Sequence, residues 1–305
     1  MARGRWKVWI AVVATALLGG CGPGGNGAGN SGAPDGEGMD RMRQQAREAL
    51  ARYDKAILDA GDRPHFVPVG ELTGQIGDWE PDKGDNKAAL MSGRIVAAAA
   101  LPTAPQPTGK VTWKSGATQT FRLISADEAL RQLAAAGAGD CPHCTPLQVT
   151  GARLATAQIE TTRGPATAPA WEYTLKGTAV RVTRVAVAAS AAITVTPPPW
   201  DPYNAPGGLA IESATTAATN KRLTVVFTGA PGPGSEPCGA DYSAEAVESA
   251  NAVVVIVITH PHAADETCTA IGARRTTTVE LARPLGERAV LEVQQGLPVP
   301  VTITP

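Results

Sequence analysis

The chain has little of what catalysis or nucleic-acid binding asks of a sequence. Only four of its 305 residues are histidine, so acid–base chemistry built on imidazole has few candidates. It has no Gly-x-Ser-x-Gly elbow, no glycine loop ending in Gly-Lys-Ser/Thr and no His-Glu-x-x-His. Those absences remove the signatures of α/β-hydrolases, P-loop enzymes and zinc proteases. A glycosidase needs only two carboxylates placed by its fold, so the expectation that this is not an enzyme rests on missing motifs alone. Lysine is scarce, and 27 basic residues stand against 28 acidic ones for a formal charge of −1. A balance of that kind excludes the concentrated basic surface nucleic acid requires. The apolar stretch over residues 8–18 falls well short of the roughly 20 residues a transmembrane helix takes.

That short stretch is the most informative part of the chain. Arg3, Arg5 and Lys7 precede it, and Leu18-Gly19-Gly20-Cys21 closes it. A cationic start, a short apolar centre and small residues before a cleavage point make an export signal. The ending resembles a bacterial lipobox, which implies cleavage before Cys21 and a diacylglycerol thioether on its sulfur. The competing readings are an uncleaved anchor and a secretory leader cut elsewhere. Removing residues 1–20 also removes three basic groups, taking the formal charge from −1 to −4. The expected location is therefore the outer face of the cell membrane, with the lipid as the membrane partner and no electrostatic help from the protein. Residues 21–38, rich in glycine and without bulky apolar side chains, read as a flexible tether.

With Cys21 set aside, four cysteines remain: Cys141, Cys144, Cys238 and Cys268. Outside the cytoplasm an even remainder reads as disulfides. Four cysteines allow three connectivities, and the sequence-local pairs Cys141–Cys144 and Cys238–Cys268 are the simplest.

Residues 39–62 should hold an amphipathic helix, because Met39, Met42, Ala46, Leu50, Tyr53 and Ile57 recur at steps of three and four. Residues 63–196 read as a first β-rich module. They contain one short helix opened by Ser125 and Glu128 as a capping box and closed by a left-handed Gly137. Residues 197–208, with three consecutive prolines, read as a linker. Residues 209–305 read as a second β-rich module, in which the run at 253–258 suits a strand buried on both faces. The expected fold is mainly β with an N-terminal helix: two disulfide-pinned, sandwich-like modules behind a lipid-anchored tether.

Three groups of residues are candidates for chemistry. Cys141-Pro142-His143-Cys144 matches the active-site tetrapeptide of thioredoxin-fold thiol oxidases, a role that needs a strand running in and a helix running out. Here a helix end precedes it and strand-like sequence follows, so a structural disulfide is the preferred reading and a thiol-disulfide oxidoreductase the alternative. His260 and His262, two apart on an extended segment with Asp265 and Glu266 nearby, are candidate ligands for zinc or copper; a solvated turn is the plainer reading. Trp200 and Tyr203 in the linker, with Trp79, are candidate binding aromatics for a sugar or peptide, whereas Trp113, Trp171 and Tyr173 alternate as core residues do. No cofactor is implied.

Several segments are similar to those of uncharacterised actinobacterial lipoproteins and membrane-anchored exported proteins, and the alanine-, glycine- and arginine-rich composition fits such a source. They are Cys238-Gly239-Ala240-Asp241-Tyr242, Cys268, the stretches 281–288 and 297–301, Cys141-Pro142-His143-Cys144, Thr150-Gly151-Ala152, Arg163-Gly164 and residues 168–172. The resemblance implies location and architecture and carries no activity with it. The function expected from the sequence is an envelope lipoprotein that binds or scaffolds, with an envelope protein or glycan as its ligand.

Overall fold

The computed structural model describes residues 36–80, 85–199, 201 and 205–304. Cys21, Trp200 and Tyr203 lie outside them. Helix α1 spans Gly36–Ala60, three residues longer at its start than the apolar stripe predicts. Glycine costs a helix about 1 kcal/mol, which argued for a later start. Glu37 in the first turn gives the helix N-terminus a negative charge it favours.

The first module follows in chain order. It comprises β1 (Pro68–Val69), β2 (Thr73–Ile76), α2 (Asp85–Met91), β3 (Ile95–Ala97), β4 (Thr108–Trp113), β5 (Thr118–Arg122), α3 (Ala126–Ala135), β6 (Leu147–Thr161), β7 (Ala166–Leu175) and β8 (Arg181–Val185). All eight strands belong to one branched sheet around the β6–β7 hairpin. Along its free side β7 pairs first with β4 and then with β8. Along its own free side β6 takes β3 in parallel at its start and β1 antiparallel at its end. Helix α3 packs Ala129, Leu130 and Leu133 onto Val149, Trp171 and Tyr173 of this sheet. The indole of Trp171 donates to Ile124 O at 2.9 Å and the Tyr173 hydroxyl to Ala126 O at 2.7 Å, tying the start of α3 to β7.

Ser125 caps α3 as expected, its side chain accepting from Glu128 N at 3.1 Å. Gly137 plays another part than the expected left-handed cap. The cap is Ala136 in right-handed conformation, and Gly137 is needed for close approach: a Cβ there would lie 2.1 Å from Gly93 N.

The second module contains β9 (Ile211–Ala217), β10 (Arg222–Gly229), β11 (Ala240–Glu248), β12 (Ala252–Pro261), β13 (Ala273–Glu280), β14 (Ala289–Glu292) and β15 (Val301–Thr304). One sheet runs β13-β10-β9-β15 and a second runs β11-β12-β14. Between them Leu223, Val225, Phe227, Val253, Val255 and Val290 form a closed core. Alternate residues of β12 point the other way, and there Val254, Ile256 and Leu291 meet Met42, Ala46, Ala49, Leu50 and Tyr53 of α1. Strand β12 is thus buried on both faces, as its unbroken apolar run implies.

Helix α1 is a third layer of this module. Polar contacts pin it along its length: Arg43 holds Glu245 through two bonds of 2.8 and 2.7 Å. Gln45 donates to Val293 O at 2.7 Å, and Asp54 accepts from Ser249 and Asn251 at 3.1 and 2.9 Å. The Arg43 hydrogen bonds hold the Glu245 carboxyl below its usual range. A stalk standing clear of the body, which a helix following a tether suggests, is not what forms. The first module is inserted between α1 and β9, and Val67, Ile193 and Val195 from the two stems of the insertion join the α1 core. The chain from residue 32 onward forms one compact unit.

Candidate functional site

Cys141 and Cys144 are bonded to each other, as are Cys238 and Cys268, so the local connectivity is the one that forms. The Cys141 turn follows the loop after α3, and Arg94 donates to Pro142 O at 2.9 Å. Cys144 is buried against the first core, and the backbone passes through Leu147 into β6. No helix begins at the turn, so the partial positive charge that lowers a thiolate pKa in oxidase motifs has no source in that position.

The second disulfide joins the turn before β11 to the segment before β13. Cys238 sits at φ 61°, in the left-handed region that side chains other than glycine rarely adopt. Its N–H donates to Glu266 at 2.7 Å, and His262 Nδ1 donates to the same carboxylate at 2.7 Å. Those two hydrogen bonds, the backbone one first, hold the Glu266 carboxyl below the usual range. Its contribution to stability is therefore present above the unfolded-state pKa near 4.3 and is lost as pH falls through the lower folded value. In urea titrations below about pH 4.5, Glu266→Gln is expected to flatten the acid loss of stability relative to the wild type; parallel acid limbs would contradict this role.

The structure does not bring His260 and His262 to a common ligand point. His260 Nε2 lies 2.8 Å from Ser243 Oγ, while His262 is engaged by Glu266. Among the described residues the one cluster of three ligand-type groups is Cys238, Glu266 and Cys268, and its two sulfurs are joined to each other. Trp79 is half-buried against the first core, so its ring is no open platform. Trp113, Trp171 and Tyr173 are buried in that core, as their alternation predicts.

One concavity was not marked by any motif. A cleft of about 530 Å³ opens where α1, the insertion and the second module meet. Helix α1 contributes Tyr53 and Ile57; the insertion contributes His65, Thr162 and Arg163; the second module contributes Asn251 and the turn from Arg283 to Arg288. Burial pushes the Tyr53 hydroxyl up to about 12, against a hydrogen bond with Thr162, so it stays a neutral phenol. His65 Nδ1 lies 2.8 Å from Arg63 O; a carbonyl can only accept, so the proton sits on Nδ1 and Nε2 is the free nitrogen.

Both loops that carry arginine into the cleft are internally braced. In the β6–β7 turn, Thr161 Oγ1 accepts from Trp113 Nε1 at 2.9 Å and from Arg163 N at 3.1 Å, and donates to Gly164 O at 2.7 Å. The Arg163 guanidinium lies 4.5 Å above the Trp113 ring, a cation–π contact that holds its face and leaves its edges open. Across the cleft the buried Arg288 pairs with Glu248. It also donates to Arg283 O, Pro284 O and Leu285 O at 2.9, 3.1 and 3.1 Å. Burial opposes ionisation of Glu248, but hydrogen bonds from Ala282 and Arg288 keep its carboxyl below the usual range.

Compared with known protein families, curated proteins and solved structures, the chain matches none. No helix among the described residues is long and apolar enough to cross a membrane. The site must therefore be read from its own geometry. Sequence reasoning placed Tyr53 on an apolar stripe, yet nothing local to that stripe says that it faces the turn from Arg283 to Arg288.

Proposed function

We propose that this chain is an extracytoplasmic lipoprotein of the cell envelope, held to the membrane through Cys21, that binds an envelope ligand in the cleft between its two modules. The observation that carries the reading is the cleft itself: it lies at the junction of an inserted module and its host, where ligand pockets are preferentially found. Two internal disulfides support an oxidising location. The chain from Cys21 to Gly36 spans about 50 Å at most, so the body works close to the bilayer. The protein acts by binding, with the braced arginine loops as the two sides of the site. The ligand belongs to the class of envelope proteins or glycans, and the resemblance to exported actinobacterial lipoproteins points to the same compartment.

A photo-crosslinking side chain at Glu287, on the rim of the cleft, and one at Thr302, on the exposed edge of β15, test this in living cells. A discrete adduct from position 287 and none from position 302 is expected. Equal labelling from both positions would overturn the cleft as the working surface.

A further inference from the structure

We infer that the cleft takes an acidic ligand, a carboxylate or a phosphate group, gripped between Arg163 of the insertion and Arg283 of the second module. The inference rests on the reading of the cleft as the binding site and names the chemistry of what fills it. Both arginines line the same space, and among the described residues neither forms an ion pair, although Arg283 feels the Glu248 carboxylate that Arg288 holds. The Arg163 guanidinium has the Trp113 ring beneath it and, among the described residues, no hydrogen bond or ion pair to its edges. The Arg283 guanidinium donates once, through Nη2 to Ala250 O at 3.2 Å. Other arginines are spent on the fold: Arg43 holds Glu245, Arg153 and Arg181 share Glu172, and Arg288 holds Glu248, while Arg94 and Arg275 donate to backbone carbonyls.

A guanidinium with free edges presents paired N–H donors in the fork geometry that carboxylate and phosphate oxygens accept. The Trp113 ring holds the Arg163 guanidinium and Arg288 holds the backbone of the Arg283 turn before a ligand arrives, which lowers the ordering cost of binding. Un-ionised polar groups stand beside them: the Tyr53 phenol and the Thr162 hydroxyl, hydrogen-bonded to each other, line the same cleft. Glu287 is the one carboxylate in the lining. It is exposed, and it opposes an anion without blocking it. Because the two arginines come from different modules, an anion bound by both draws the insertion and its host together.

The test follows the arginine Nε–Hε signals of the full-length lipoprotein in detergent by NMR at constant ionic strength, so that general screening does not change. Inorganic phosphate is titrated in one series, N-acetylglutamate in a second and chitotriose in a third. The expected result is a saturable shift of the Arg163 and Arg283 signals together with one of the two anions, which also tells phosphate from carboxylate. Arg163→Gln or Arg283→Gln should each weaken that titration about tenfold, the usual scale for a charge-assisted hydrogen bond. Glu287→Gln should strengthen it. No saturable shift with either anion, or a shift of the remaining arginine that keeps wild-type affinity in each single glutamine variant, overturns the inference. If chitotriose alone moves the two signals, the anion assignment falls and the cleft remains the binding site. Shifts confined to arginines outside the cleft in all three series defeat both.

Discussion

Replacing Cys21 by serine is expected to move the protein from the membrane fraction to the soluble fraction entirely. The proposed thioether would carry two acyl chains; each buried CH₂ contributes about 0.8 kcal/mol to membrane binding, and a single chain already gives reversible attachment. Serine offers no sulfur for the transfer, so the whole of that stabilisation goes at once. With the formal charge of −4 that the proposed removal of residues 1–20 leaves, the protein has no net positive charge to draw it to an anionic surface. The body described from residue 36 onward should keep its fold; fractionation with a thermal melt on each fraction reads both outcomes. Continued sedimentation of the serine variant with membranes would show that something other than the lipid holds it there.

Leu50→Asp is expected to be the most damaging single change in the body. Leu50 is 5 % exposed and sits between α1 and the β11-β12-β14 sheet, against Val254, Ile256 and Leu291. A carboxylate there loses its water without a partner, and the leucine volume is lost as well. Together these cost about 4 kcal/mol or more, a large share of the 5–15 kcal/mol typical of a folded domain. Because the insertion leaves and re-enters the structure beside this core, both modules should loosen in one cooperative transition. Leu58→Asp on the same helix is the matched comparison, since Leu58 is 79 % exposed and its replacement should stay within about 0.5 kcal/mol. Equal urea midpoints for the two variants would mean that α1 stands free of the second module.

Much of the local structure was legible because local rules govern it. The α1 stripe, the Ser125 cap, the run that became β12 and the pairing of neighbouring cysteines each depend on residues close in sequence. Strand β11 was not legible. Ala240 to Glu248 mixes alanine, serine and glutamate, residues that favour strands weakly, and it is a strand because β12 supplies an apolar partner beside it. Strand β9 and helix α2 escaped for the same reason, being short and set by tertiary context.

The larger miss was topological. Nothing in residues 36–60 says that their apolar face will close a sheet formed by residues 240–292, across an insertion of more than a hundred residues. Once that helix is placed, the cleft follows, because Tyr53, Arg163 and Arg283 come from three segments that only the insertion brings together. The candidate metal-ligand pair His260 and His262 takes separate partners for a related reason. Same-face spacing was correct for a strand, but the strand ends at Pro261, and His262 turns instead to Glu266.

Hydrogen exchange tests the central claim, that an envelope ligand occupies the cleft, most directly. Exchange is measured on the purified lipoprotein in detergent and on the same protein within isolated cell envelopes. Slower exchange in the envelope at residues 61–67, 162–165 and 283–288, with the β13 and β15 edges unchanged, is the predicted result. Unchanged rates in those three loops would contradict it.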